Sequence, residues 1–139
     1  MARSRRTKVA PPQRLILDSG AVIALSRKDQ RARAALAAAW EASVEISIPS
    51  VVVAETVRGS AKDAPFNRIM KAVGEVSVAD ERSGRRAGAL LGASRSTSTV
   101  DALVVASAIE LGGGVVLTGD SGDLQPLASG HPEVIIRPL

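Results

Sequence analysis

The chain has 139 residues, 45% of them apolar and 23% charged, which suits one globular domain with a core of its own. It has no cysteine and one histidine, His131, so disulfides, thiolate sites, cysteine nucleophiles and multi-histidine metal centres are excluded, and any bound metal must be held by oxygen, as Mg²⁺ or Mn²⁺ is. The net charge of +4 belongs to one end: Arg3, Arg5, Arg6, Lys8 and Arg14 stand in the first 14 positions, which hold no acid, leaving 13 bases against 14 acids in the remainder.

In chain order, residues 1–13 read as a basic, disordered tail able to add salt-sensitive attraction to nucleic acid. Residues 14–139 read as one domain. A basic start followed by Leu15–Leu25 has the outline of a signal peptide, but Asp18 interrupts the apolar stretch and no convincing small-residue cleavage site follows. No segment reaches the ~18 apolar residues of a membrane span, and the expected location is the cytoplasm. Leu15-Ile16-Leu17 is a short buried strand ending at Asp18. Ser19–Ser26 and the alanine-rich stretch 29–41 are helices. Val44–Ile48 alternates and stops at Pro49, a second strand. Ser50 is expected to cap a helix over Val51–Arg58, with Gly59 as its stop. Pro65–Val73 is a helix and Val76–Val78 a third strand. Asp80 caps a helix running to about Gly92, and Thr99 caps a long apolar helix, Val100–Leu111, ended by three glycines. Val115–Leu117 is a fourth strand, a short helix begins at Asp120 or Ser121, and Val134–Ile136 is a fifth strand. Strands alternating with helices predict an α/β fold with a mainly parallel sheet covered on both faces. Gly84, Gly88 and Gly92 recur at four-residue spacing, which predicts close packing of that helix against a neighbour, inside the fold or at a dimer interface. Trp40 is expected to pack at a helix end, and His131 to lie in a C-terminal loop.

Four acids stand in unusual places. Asp18 follows the first strand directly, and Asp120 follows the fourth by two residues, with Asp123 three residues on. Glu55 and Asp101 are placed in the first turns of helices, among apolar neighbours. In open α/β sheets, ligands bind outside the carboxyl ends of the strands, and these acids map to that edge. Each also has a structural explanation. Asp18 and Asp120 suit helix N-caps, Asp123 suits a first helical turn, Glu55 has Arg58 three residues on, and Asp101 has the hydroxyls of Thr97 and Ser98. A buried carboxylate costs several kcal/mol unless it is paired or bound to a cation. Clustered carboxylates repel, and a hard divalent cation removes that repulsion. Such an ion activates water and stabilises charge on a phosphoryl oxygen, which points to phosphodiester hydrolysis.

The segments Leu15-Ile16-Leu17-Asp18-Ser19, Pro49–Glu55, Val100–Ala106 and Leu117–Leu124, in this order and spacing, resemble a PIN domain, and more narrowly the VapC-type toxins of bacterial toxin–antitoxin pairs. The resemblance covers residues 14–139. It implies a three-layer α/β/α domain with a five-stranded sheet of order 3-2-1-4-5. Asp18, Glu55, Asp101 and Asp120 match the family's catalytic acidic quartet, which holds one or two Mg²⁺ or Mn²⁺ ions. Asp123 matches a further acid that joins the metal site, and Ser19 and Thr118 match hydroxyl positions that orient ligands. The resemblance further implies an endoribonuclease leaving 5′-phosphate and 3′-hydroxyl ends, a VapB-type antitoxin partner that puts a basic side chain into the acidic pocket, and a homodimer. Two positions depart from the pattern: Gly20 stands where many members carry Asn, and Gly119 where many carry Arg or a bulky residue. With only Trp40 and Phe66 as aromatics, base stacking is not expected to drive RNA binding. Arg27, Lys28, Arg58, Arg85, Arg86 and Arg95 are candidate phosphate contacts, Arg58 and Arg95 foremost.

Other functions compete with this one. A non-enzymatic α/β partner-binding module would use the same acids as caps and bind no metal. A DNA-acting nuclease of the same fold would use the same carboxylates. A response-regulator receiver needs two adjacent acids after the first strand and a Lys after the last. Asp18 has no acidic neighbour, and the C-terminal segment has Arg137 but no Lys.

Overall fold

Leu15, Ile16 and Leu17 are buried in sequence, without the alternation of a half-exposed strand. They form β1 (Arg14–Leu17), the centre of the fold. The structure, a computed structural model, describes residues 14–139. The basic segment 1–13, and with it the expected tail, lies outside the described residues. After β1 come α1 (Ser19–Ser26), α2 (Gln30–Glu41), β2 (Glu45–Pro49) and α3 (Ser50–Thr56). A single 3-10 turn (Ala61–Asp63) leads into α4 (Ala64–Val73), β3 (Val76–Ser77) and α5 (Glu81–Ser94). The chain closes with α6 (Thr99–Glu110), β4 (Gly114–Thr118), α7 (Ser121–Ala128) and β5 (Val134–Pro138).

All pairings are parallel, and the strand order is β3-β2-β1-β4-β5, as expected. Parallel strands need helical crossovers, and these cover the sheet. On one side α1 packs against α2, α3 and α4, while α5, α6 and α7 pack against one another. The core joins Ile16, Leu17, Val116 and Leu117 of the central strands to Val22 of α1 and Val104 and Val105 of α6. The helix α6 buries Ala102, Val104, Val105, Ala106, Ala108 and Ile109, most of its circumference, as an interior helix must. Entry into β4 depends on glycine. Gly113 and Gly114 have φ of 104° and 150°, and a Cβ on Gly114 would stand 2.8 Å from the Arg14 carbonyl oxygen.

Several expectations are corrected. Ser50 is not a cap but the first residue of α3, and Pro49 holds the cap position with no side-chain bond. Proline's fixed φ, here −62°, carries the chain from β2 straight into the helix. Thr99 is also helical, and Ser98 is the cap. Adjacent hydroxyl residues offer the same chemistry, and the backbone chooses the one outside the first turn. The helix α3 stops at Thr56, two residues short of Arg58, because the main-chain N–H groups of Arg58, Gly59 and Ser60 turn to the Asp63 carboxylate at 2.7–3.2 Å. Gly84, Gly88 and Gly92 are exposed, and a Cβ on any of them would meet nothing within 4 Å. No element of the described fold packs on that stripe, since α5 docks through Ser83, Ala87 and Leu90, which removes the packing expected inside the fold and leaves only the dimer-interface alternative. Trp40 is 49% exposed rather than packed. His131 does lie in the loop before β5, 3.5 Å from Glu133.

Candidate active site

The crevice between β1 and β4 is the switch point of this sheet: β1 is followed on one side by β2, and β4 on the other by β5. Ligands of open α/β sheets bind at the carboxyl ends of the strands there. Leu17 and Leu117 are in register, so the residues after them emerge side by side. Asp18 leaves β1 with its N–H donating to the Leu117 carbonyl at 3.2 Å. Its carboxylate caps α1, accepting the Ala21 N–H at 2.9 Å, and it is buried, 7% exposed.

Thr118, the last residue of β4, is wholly buried. Its Oγ1 accepts the Asp120 N–H at 2.8 Å, so its one proton is free for the Asp18 carboxylate. The Gly119 N–H donates to Asp18 as well. Thr118 therefore ties the two strand-end acids together. Burial pushes the Asp18 carboxyl above the ordinary carboxylate range, the bonds from Thr118, Ala21 and Gly119 pull it back, and the charge of Asp101 adds to the rise.

Asp101 lies in the first turn of α6, partly buried. Ser98 Oγ donates to its Oδ2 at 2.8 Å, and the same hydroxyl accepts the Asp101 N–H at 3.4 Å. Asp120 caps α7, accepting the Asp123 N–H at 3.4 Å. A hydrogen bond to the Asp120 carboxylate raises the Asp123 carboxyl, with the Asp120 charge, desolvation and the Asp101 charge adding to it. The four aspartates thus form a linked series at one edge: Asp18 feels Asp101, and Asp123 feels both Asp120 and Asp101.

Glu55 is different. It sits in the last turn of α3 rather than the first, and it is exposed rather than buried. Val52 and Thr56, four residues apart, take the core face of this short helix and leave Glu55 off it. No hydrogen bond or ion pair joins Glu55 to the four aspartates or to Arg58 among the described residues. The Arg58 guanidinium instead caps α3, donating from Nη1 to the carbonyls of Ala54 and Val57 at 3.1 Å each. Ser19 opens α1, half-buried. Arg95 lines a cleft with Asp123. Among the described residues, no three acids or histidines stand close enough as they lie to hold an ion. The donor chemistry nevertheless fits one. Four carboxylates that repel one another, one of them buried, supply only oxygen, the ligand set of Mg²⁺ or Mn²⁺.

Of the two hydroxyls that sequence offers to Asp101, Thr97 and Ser98, the structure uses Ser98. In a stretch of four hydroxyl residues, Ser96 to Thr99, the helix start decides which one serves, the serine three residues before the acid.

The family model of the PIN domain matches residues 15–125. The chain belongs to the PIN domain family. Among solved structures, the PIN fold seen here is similar to a chain of VapBC2 from Rickettsia felis bound to a promoter DNA fragment, with a TM-score of 0.72 at 14% identity over 91% of this chain and 98% of that one. It is similar to a chain of a toxin–antitoxin complex from Klebsiella pneumoniae, with a TM-score of 0.67 at 21% identity over 87% and 95%. It also matches DNA-bound VapBC from Salmonella typhimurium, with a TM-score of 0.68 at 15% identity over 90% and 97%. A comparison with curated proteins gave no match. The two positions at which this PIN domain departs from the family pattern touch each other. A Cβ on Gly20 would lie 2.8 Å from the Gly119 nitrogen and 2.9 Å from its Cα.

Proposed function

We propose that this PIN domain is the toxin of a bacterial toxin–antitoxin pair, a metal-dependent endoribonuclease that leaves 5′-phosphate and 3′-hydroxyl ends. The observation that carries the reading is the series Asp18, Asp101, Asp123 and Asp120 at the carboxyl edge of the sheet, with Asp18 buried and its carboxyl held high. An acid with no basic partner among the described residues, at a sheet switch point, is costly as structure and useful as a ligand. One or two Mg²⁺ or Mn²⁺ ions would be held by Asp18, Asp101 and Asp120, with Asp123 and Glu55 as further candidates. When bound, the ion would supply charge neutralisation at the scissile phosphate and activation of water. Ser19 and Thr118 serve beside them, Thr118 by fixing Asp18 against Asp120. The similarity to chains of toxin–antitoxin complexes supports an antitoxin partner, whose basic side chain would compete for the same acids. A homodimer working in the cytoplasm completes the proposal. No helix among the described residues is long and apolar enough to cross a membrane.

The test is cleavage of structured RNA by the full chain with Mn²⁺ or Mg²⁺ against EDTA, beside Asp101→Asn and a DNA of the same sequence. Metal-dependent cutting of the RNA alone, lost in Asp101→Asn, is the expected result. Cutting of both nucleic acids would make this a general nuclease. No cutting together with no Mn²⁺ binding by calorimetry would leave a partner-binding module.

A further inference from the structure

Of the six basic side chains that sequence offers as phosphate contacts, the structure accounts for three. Arg58 caps α3 through two carbonyls. Arg85 pairs with Glu81 at 2.7 Å and Arg86 with Glu110 at 2.9 Å. Arg27 and Lys28 stand at the far end of α1 from Asp18. Arg95 alone of the six lines a cleft that also holds one of the linked aspartates. The cleft measures about 380 Å³ and lies between the end of α5, the loop 95–98 and α7. Its walls are Ser94, Arg95, Ser96, Thr97 and Ser98 on one side and Gly122, Asp123 and Pro126 on the other.

Its hydrogen-bonding character is one-sided. Ser94 Oγ accepts the Ser96 N–H at 3.2 Å, and Ser96 Oγ accepts the Ser98 N–H at 3.1 Å. Each hydroxyl has spent acceptor capacity and keeps its one proton to give. Ser98 gives its own to Asp101. Thr97 and the Arg95 guanidinium have no side-chain partner among the described residues, and both are exposed. One wall is therefore a row of donors, with Asp123 on the other. An acceptor-rich anion fits such a wall, and Arg is the residue suited to grip a phosphate in two places. The backbone carries a second sign. Arg95 ends α5 in the left-handed conformation, φ 62° and ψ 14°, its N–H bonded to the Leu91 carbonyl at 3.0 Å. Glycine suits that position, and arginine is strained there. Lys28 and Ser43 share that conformation, but Arg95 combines it with a guanidinium that has no hydrogen bond or ion pair among the described residues and that lines the cleft.

We infer that the cleft between loop 95–98 and α7 is a subsite for an RNA phosphodiester next to the one that is cut, held by Arg95 and by the hydroxyls of Ser94, Ser96 and Thr97. The inference rests on the nuclease reading above, since it needs an RNA strand running past Asp123. It names the direction in which the strand leaves the acids, toward the end of α5.

The experiment measures binding of a fluorescein-labelled random single-stranded RNA to the full chain carrying Asp18→Asn, which stops cleavage without touching the cleft. Arg95→Gly, Arg95→Lys and Arg27→Ala are added in turn. Arg95→Gly removes strain and side chain together, so its melting temperature should rise while RNA affinity falls roughly tenfold at low salt. The slope of log K against log salt should shrink by about 0.7, the loss of one single-strand phosphate contact. Arg95→Lys should recover the slope and part of the affinity, and Arg27→Ala should leave both unchanged. Affinity and slope unmoved in Arg95→Gly would overturn the subsite, and so would an equal loss in Arg27→Ala. Wild-type cleavage and Mn²⁺ binding, measured in parallel, separate the two failures. If both persist, only the subsite falls; if both are absent, the nuclease reading falls and the subsite with it.

Discussion

Asp18 accepts hydrogen bonds from Thr118, Ala21 and Gly119, and burial still holds its carboxyl above the ordinary range. The folded state therefore binds this proton more tightly than the unfolded chain does. Its contribution to stability is present below the unfolded pKa and is lost as pH rises through the folded value. Ionisation of Asp18 in the metal-free protein therefore works against folding. Asp18→Asn keeps an oxygen to accept the Ala21 N–H, and it removes the charge. The variant should melt a few degrees above wild type in EDTA at neutral pH. It should also lose the rise in melting temperature expected of the wild type in Mn²⁺. Scanning calorimetry with and without Mn²⁺ reads both effects. A metal-free Asp18→Asn that melts lower would mean that the bonds to the carboxylate outweigh its burial, and a metal site would then not be needed to explain it.

Two elements of the site are held at a fixed separation by a contact between glycines. The start of α1 meets the β4–α7 turn backbone to backbone at Gly20 and Gly119, and that approach lets the Gly119 N–H reach Asp18. Neither glycine has a positive φ, so an alanine would be opposed by contact alone. Gly20→Ala should push the turn away, weaken Mn²⁺ binding about tenfold or more, and leave the helical content unchanged. Gly119→Ala, whose Cβ meets Gly20 Cα at 3.3 Å, should do less, and Gly88→Ala, in open space, nothing to metal binding. Calorimetric titration would show the order, and equal affinities across the three would remove any role for the contact. This pair also marks the limit of what sequence carries. Nearly every element was legible, because buried runs such as Leu15–Leu17 and caps such as Asp18 and Asp80 are local signals, while the strand order came only with the resemblance to the PIN domain. The contact of Gly20 with Gly119 is not, since it joins residues far apart in the chain, and each alone reads only as an absent side chain. The exposure of Glu55 was hidden for a related reason. Val51 to Val53 look like a helical core face, and only the early end of α3, set by Asp63 from a later turn, shows which residues turn inward.

Four acids set apart from the rest form two pairs with opposite pH behaviour. At the carboxyl edge of the sheet, Asp18 is raised by burial and Asp123 by its hydrogen bond to Asp120. Away from it, Asp63 is lowered by the N–H groups of Arg58, Gly59 and Ser60, and Asp80 by the N–H and hydroxyl of Ser83. The lowered pair contributes stability above the ordinary carboxylate pKa and loses it as pH falls through the folded values. The raised pair contributes below that pKa and loses it as pH rises. The metal-free protein should therefore be most stable in mildly acid solution and weaken toward neutrality, even though the described chain is near charge balance. A divalent ion held at the edge as proposed should reverse only the second half of that curve, because it would bind the deprotonated edge and leave Asp63 and Asp80 alone. At a concentration of 100 times its dissociation constant it adds about 2.7 kcal/mol, roughly 5–10 °C in melting temperature for a domain of this size. Melting curves from mildly acid to neutral pH, in EDTA and in Mn²⁺, should coincide at the acid end and separate as pH rises. Separation at the acid end as well would place the ion on groups already charged there, away from Asp18 and Asp123. Curves that coincide at every pH would leave the four aspartates as caps and the edge of the sheet without a metal.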